Sequence, residues 1–204
     1  AMDPATSDAD LLLAWQAGNE VAGEALVERY FDRLYRFFHT KLDAEADELV
    51  QATFLACLGA KDRFRRESSF RTFLFGIARN QLYAALRGRA KAARLDFAVS
   101  SIAELVSTPR TRLARHQDYE RLVAAMRQLP LEQQTLLELH YWDELGMAEL
   151  AAVFETSEVN IRSRLHRARK ALRELLETSG ERGEAAALDA MDQWARSLSG
   201  VRPR

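Results

Sequence analysis

Residues 157–173 read Ser157-Glu158-Val159-Asn160-Ile161-Arg162-Ser163-Arg164-Leu165-His166-Arg167-Ala168-Arg169-Lys170-Ala171-Leu172-Arg173. The stretch holds six basic residues and one acid. Ser157 is a good helix N-cap, because its hydroxyl can accept an amide that the first turn leaves unpaired. Val159 or Ile161, then Leu165, Ala168 and Leu172, recur at three- to four-residue spacing and make one helix face apolar. Arg162, Arg164, Arg167, Arg169 and Lys170 fall on the other faces. Just upstream, 147–154 is a shorter helical run with Leu150, Val153 and Phe154 apolar. Two helices across a tight turn are a helix-turn-helix, and its second helix is the one that enters a DNA major groove. The competing reading of this stretch alone is a solvated basic helix in an ordinary helical domain.

The 204 residues suffice for one large or two small domains, and 48% hydrophobic with 29% charged content supports real cores. Four prolines and nine glycines leave long runs at helical period, so the chain reads as all-α. The single cysteine, Cys57, has no internal disulfide partner, and its place between Phe54 and Leu58 suggests a buried thiol in a reducing, cytoplasmic setting. No stretch approaches the roughly 18 apolar residues of a membrane span, and no signal peptide is visible. Residues 1–4 read as a cloning remnant and are set aside.

The net charge of −1 conceals an asymmetry. Residues 1–60 carry eleven acids and four bases, whereas residues 61–95 carry ten bases and two acids. Such a split suggests a basic partner for the acidic part and a polyanion for the basic part.

The periodicity predicts a first helix capped by Asp8 or Asp10 and ended at Gly18-Asn19. A second begins near Glu20 with Ala22, Leu26, Tyr30, Leu34, Phe37 and Phe38 as its stripe. A third starts at 43–47 with Leu49, Val50, Phe54, Leu55 and Leu58 inward. A basic loop, 61–69, leads to a fourth, capped by Ser68 or Ser69, with Phe70, Phe73, Leu74, Ile77, Ala78 and Leu82 at core spacing. Residues 95–115, rich in Ser and Thr with Pro109, read as a flexible linker. Helical period returns near Leu113. Leu129-Pro130 separates two helices, and Leu131–Tyr141 with the helix-turn-helix completes a second domain. Beyond Gly180, Leu188, Met191, Trp194 and Leu198 fall on one face of a short amphipathic helix. The expectation is therefore two helical domains, an N-terminal helical bundle and a C-terminal helix-turn-helix domain.

Four stretches carry a family resemblance. They are 47–54 (Asp-Glu-Leu-Val-Gln-Ala-Thr-Phe), 68–80 (Ser-Ser-Phe-Arg-Thr-Phe-Leu-Phe-Gly-Ile-Ala-Arg-Asn), 129–134 (Leu-Pro-Leu-Glu-Gln-Gln) and 161–169. In this order and at these separations the chain resembles the extracytoplasmic-function sigma factors, the small two-domain factors that direct bacterial RNA polymerase to stress-type promoters. The resemblance covers about residues 8–177. It implies sigma region 2 over 8–94, a linker over 95–115, region 4 over 116–177 and a C-terminal extension over 178–204.

The resemblance also implies roles. Asp47, Glu48, Leu49, Val50 and Gln51 would bind core polymerase, with Asp47, Glu48 and Gln51 the better candidates for exposed contacts. Lys61, Arg63, Phe64, Arg65, Arg66, Ser68, Ser69, Arg71, Arg79 and Asn80 would hold the melted non-template strand of the minus-ten element. Single strands call for such a basic groove with a stacking ring, here Phe64. Asn160, Arg162, Ser163, His166 and Arg167 would read the duplex minus-thirty-five element, and Arg164, Arg169 and Lys170 would anchor phosphates. Phe73 stands where the family often has tryptophan, Ala84 where it often has aspartate, and Glu155 where it commonly has a turn glycine. A glutamate there costs stability if its φ is positive.

No catalytic constellation, phosphate loop or metal cluster appears, so the chain is expected to be a non-enzyme without cofactor or metal. The expected partners are core RNA polymerase and promoter DNA, duplex and melted, with no membrane. Two restraints stay open, an anti-sigma factor and autoinhibition by the C-terminal extension. A stand-alone helix-turn-helix regulator accounts for 129–173 only, and a plain helical interaction protein accounts for neither basic track.

Overall fold

In the computed structural model the chain is described over residues 6–64, 68–93, 96–98, 100–102 and 117–178. The C-terminal extension beyond Thr178, most of the 95–115 linker and Arg65 and Arg66 lie outside the described residues. Eight helices form among those described: α1 (Asp8–Gln16), α2 (Glu20–His39), α3 (Ala46–Ala60), α4 (Phe70–Ala93), α5 (Gln117–Met126), α6 (Leu131–Tyr141), α7 (Met147–Val153) and α8 (Glu158–Thr178). Single 3-10 turns precede and follow α3, at Asp43–Glu45 and Lys61–Arg63. The chain divides into two compact units. One runs to Ala85 and takes in Ala152–Glu155; the other is Leu86–Ala151 with the residues from Thr156 onward.

The first unit is organised by α2. Its predicted stripe, Ala22, Leu26, Tyr30, Leu34, Phe37 and Phe38, is buried throughout. Against it, α4 sets Phe70 edge-on to Tyr30 at 5.5 Å and Phe75 edge-on to Phe37 at 5.8 Å, the arrangement favoured by the ring quadrupoles. Phe75 is fully buried although the period of α4 did not single it out. α1 packs on α2 where Gly23 leaves room for Trp15; a Cβ at Gly23 would lie 2.4 Å from the indole nitrogen. Lys41, just past α2, is also fully buried. Its ammonium donates to the Phe37 carbonyl at 2.8 Å and to Thr40 Oγ1 at 3.3 Å, and sits 4.0 Å from the Phe37 ring centroid. The negative end of the α2 dipole and the ring face thus replace water around a buried cation.

Two side chains depart from the expected burial of α3. Leu55 is 62% exposed and Leu58 47% exposed. They follow Gln51 at i+4 and i+7, which puts them on its solvent face, while Leu49, Val50, Thr53 and Cys57 form the inward face.

Helix starts follow amide accounting. The first turn of each helix leaves N–H groups without partners. Ser7, rather than Asp8 or Asp10, caps α1, accepting from the Asp10 amide at 3.2 Å. Asn19 does the same for α2, Ser69 for α4 and Ser157 for α8. Gly146 donates its amide to Glu149 at the head of α7. Pro130 has no such side chain, so α6 borrows from the chain before it. The Leu131 amide donates to the Ser100 carbonyl at 2.9 Å and Glu132 to that of Phe97 at 3.2 Å. Ser100, Ser101 and Ile102 are buried there. This part of the expected linker is therefore built into the second unit, because α6 needs its carbonyls.

The α7–α8 turn closes with paired reversed bonds, Thr156 N–H to Ala151 O at 2.9 Å and Glu155 N–H to Ala152 O at 3.3 Å. This geometry requires a left-handed residue between them. Glu155 takes that place with φ 52°, so the glutamate carries the strain its position implied. Cys57 is buried as expected, and burial pushes its thiol up to about 12.

Two predictions follow from the backbone and the core. Glu155→Gly should raise the unfolding free energy by about 0.5–1 kcal/mol, the relieved left-handed strain exceeding glycine's extra unfolded freedom. Glu155→Ala should give no such gain in the same denaturant titration. The native thiol keeps its proton to about 12, whereas an unfolded cysteine releases it near about 8.5. The unfolded state is therefore favoured progressively as pH rises between those values. Cys57→Ala should flatten that alkaline loss of stability in equilibrium unfolding measured from pH 8 to 11.

Candidate nucleic-acid interface

Three surfaces hold the residues expected to act. α8 buries Ile161, Leu165, Ala168 and Leu172 against its own unit, including α5 and α6. Of the two alternatives for its first apolar position, Ile161 is fully buried and Val159 is exposed. The outer face is Val159, Arg162, Ser163, His166, Arg167 and Lys170. Arg162 lies 3.8 Å from Glu158 and Lys170 lies 3.8 Å from Glu174, both as exposed i,i+4 pairs that leave the cations on the surface. Arg167 bends its Nε toward the Ser163 carbonyl at 3.4 Å.

Two cations of α8 are used within the unit. Arg164 pairs with Glu132 of α6 at 3.3 Å, both half-buried. The structure thus gives Arg164, and likewise Arg169, internal partners where phosphate anchors were expected. Arg169 lies 3.4 Å from His140 Nε2 and over the Tyr141 ring at 5.3 Å. Their spacing explains it: Arg164 and Arg169 flank Leu165 and Ala168, at the edge of the buried face. Asn160 is also partly committed, its side-chain amide donating to Thr156 Oγ1 at 3.1 Å.

The basic segment of the first unit is more constrained than its sequence suggests. Lys61 pairs with Asp62 at 2.8 Å and lies 5.9 Å from the Trp15 ring, and its carbonyl accepts from Gln16 at 2.7 Å. It anchors the loop to α1. Arg63 is exposed. Phe64, expected to be the open stacking ring, lies 4.5 Å from Phe73 at 32° and is half-buried, so one face of the ring is covered. Ser69 is spent on capping: its hydroxyl accepts from the Thr72 amide at 3.1 Å and lies 2.8 Å from the Thr72 hydroxyl. Ser68 and Arg71 are half-buried. Arg79 stacks on Tyr83 at 4.5 Å, which flattens its guanidinium along α4. Asn80, Ala84 and Arg87 are exposed at i, i+4 and i+7, a continuous open stripe. With alanine at its centre the stripe carries no acid to repel a phosphate.

The third surface is on α3. Asp47, Glu48 and Gln51 are exposed as expected. Leu49 and Val50, expected among the contacts, are core residues. Their place on the surface is taken by Leu55 and Leu58, which line up with Gln51. The signal that could have found them is phase, since i+4 and i+7 from a polar residue at a helix start is the polar face. Beside this face, α2 carries Phe31, Tyr35 and His39 as a stack, with centroids 6.5 and 5.4 Å apart. Burial first, then Asp47 and Asp43, raise the Tyr35 hydroxyl above its usual range. Among the described residues no cluster is placed to hold a metal ion, and no helix is long and apolar enough to cross a membrane.

Comparison with known proteins matches these surfaces to two family regions. Residues 26–92 match Sigma-70 region 2, and residues 119–172 match Sigma-70, region 4. Region 2 followed by region 4 is the layout of a small sigma-70-type factor. The chain is 32% identical over 135 residues to the ECF RNA polymerase sigma factor EcfG of Rhodopseudomonas palustris, covering 66% of this chain and 73% of that protein. It is 27% identical to the RNA polymerase sigma-H factor of Pseudomonas aeruginosa, covering 83% of this chain and 94% of the other. Among solved structures it is similar to CnrH in complex with the cytosolic domain of CnrY, with TM-score 0.63 at 25% identity, covering 84% and 97% of the two chains. It is also similar to the sigma factor RpoE in complex with the anti-sigma factor NepR from Bartonella quintana, with TM-score 0.59 at 25% identity, covering 74% and 92%. The chain belongs to the extracytoplasmic-function sigma factors.

The internal role of Arg164 can be measured. Arg164→Ala and Glu132→Ala should each lower stability, and the double-mutant cycle should show coupling of about 0.2–1 kcal/mol. Arg162→Ala and Arg167→Ala should leave the denaturant midpoint unchanged. Zero coupling would return Arg164 to the pool of free cations.

Proposed function

We propose that this chain is a dissociable, non-catalytic specificity subunit that binds bacterial core RNA polymerase and directs initiation at its own class of promoters, in the cytoplasm. The observation that carries the reading is the pairing, on one chain, of an α3 face offering acids and exposed leucines with two separate basic surfaces. A lone helix-turn-helix regulator needs only the α8 surface and leaves the region 2 match over residues 26–92 without a purpose.

In this reading each surface performs one step. The α3 face, Asp47, Glu48, Gln51, Leu55 and Leu58, docks on polymerase; acids steer the encounter with a basic partner and the leucines supply area to bury. Arg63, Asn80, Arg87 and the 61–69 loop take the melted non-template strand of the minus-ten element, with Phe64 and Phe73 together as the floor on which a base can stack. The outer face of α8 enters the major groove of the minus-thirty-five element, with Arg162, Ser163, His166 and Arg167 at base edges and Lys170 on phosphate. Leu49, Val50, Ser69 and Arg164 hold these surfaces in shape.

Control belongs to the same reading. The solved neighbours CnrH and RpoE are complexes with CnrY and with the anti-sigma factor NepR. A comparable protein antagonist covering the exposed α3 leucines would block polymerase docking directly.

Run-off transcription with purified core enzyme and genomic fragments of the source organism tests the proposal. The chain should confer initiation at discrete starts, and no initiation with active core would overturn it. Leu55→Glu with Leu58→Glu should weaken core binding by about tenfold or more, corresponding to about 1.4 kcal/mol. Because both leucines are exposed, the melting temperature should be preserved.

A further inference from the structure

We infer that Val159 is a specificity-determining residue that reads the C5-methyl group of a thymine in the duplex that α8 contacts. The inference rests on the proposed reading of α8 as the major-groove helix and adds an apolar reader to its polar ones.

Val159 is 74% exposed; among the described residues it is the most exposed large apolar side chain and the one such side chain left open in the second unit. The core does not need it, because Ile161 fills the inward place. Single exposed apolar residues are ordinary on protein surfaces. Position is what distinguishes this one. Val159 is the second residue of α8, at the end of a recognition helix that reaches base edges. Arg162, Ser163 and His166 follow it at i+3, i+4 and i+7 and are all exposed, so the four share one face. Asn160, the neighbouring polar candidate, turns its amide back to Thr156 at 3.1 Å. Val159 is then the side chain that meets the groove at the start of the helix, beside the small Ser163.

The thymine methyl is the apolar feature of the major groove, and it is sensed by apolar contact rather than by a hydrogen bond. Valine suits that contact. Its χ1 is nearly fixed in a helix, so its two methyls are held in place and little rotamer freedom is lost on docking. Alanine would serve α8 better as a helix former, so truncation at this site does not threaten folding.

The test uses holoenzyme. Preferred upstream elements are selected from a randomised duplex pool, and each thymine is then replaced in turn by deoxyuridine, which removes only the methyl. Wild type should lose about fourfold in affinity at one position, the size expected for one buried methyl group. Val159→Ala should bind the thymine and deoxyuridine duplexes equally, at the wild-type affinity for deoxyuridine. If no position is sensitive, or if Val159→Ala keeps the sensitivity, the inference is overturned. Arg162→Ala in the same assay separates the two levels. If Arg162→Ala relaxes selection at another position while Val159 shows no coupling, the Val159 inference alone falls. If neither variant changes the selected sequence, the assignment of α8 as the reading helix falls with it.

Discussion

The apolar stripe of α2 is the constraint on which the first unit depends. α1, α3 and α4 each bury against α2, through Gly23 and Trp15, through the inward face of α3, and through the Tyr30–Phe70 and Phe37–Phe75 ring pairs. Interiors packed at crystal-like density transmit displacement rather than absorb it. The rotational phase of α3 and α4 about their own axes is therefore set by what α2 presents to them. That phase decides which residues face outward. Leu55 and Leu58 are on the surface because Leu49, Val50, Thr53 and Cys57 are not, and Asn80 is on the surface because Ala78 and Leu82 are buried. The functional faces are the complement of the packing.

Much of this was legible in the sequence. The stripe of α2, the bounds of α6 and the order of the helices follow from period and caps, because each is a local property of consecutive residues. Phe75 goes unmarked and Leu55 and Leu58 are misplaced for a shared reason. In a run as apolar as 49–58 or 70–78, hydrophobicity does not discriminate faces, and only the partner across the interface does. Lys41 was invisible for the opposite reason, since burial of a lysine depends on a helix end and a ring that lie next to it only in the folded chain. Glu155 was legible by comparison rather than by local pattern. The flag came from the family resemblance, which commonly places a turn glycine there, and the φ of 52° is the left-handed value that glycine would take without strain.

The expected site residues divide by the same logic. Residue type alone cannot separate an arginine that faces solvent from one that ties two helices together. Arg162 and Arg164 are two apart in sequence and point to different sides of α8, so one is open and the other meets Glu132. Likewise Ser69 and Ser157 serve helix starts, where a hydroxyl is worth about 1 kcal/mol as a cap. Phe64 and Phe73 cover each other, so the pair presents a surface that neither ring would present alone.

The Arg164–Glu132 contact has a thermodynamic consequence for any polyanion that α8 meets. DNA affinity at a basic surface comes largely from releasing condensed counterions, and the log–log dependence on salt steepens by about 0.9 for each phosphate neutralised on duplex DNA. Of the six basic residues in 157–173, Arg164 and Arg169 already have partners inside their own unit. Each would release few phosphate counterions if a polyanion docked there. A duplex meeting this helix would therefore show a shallower salt response than six free cations would give.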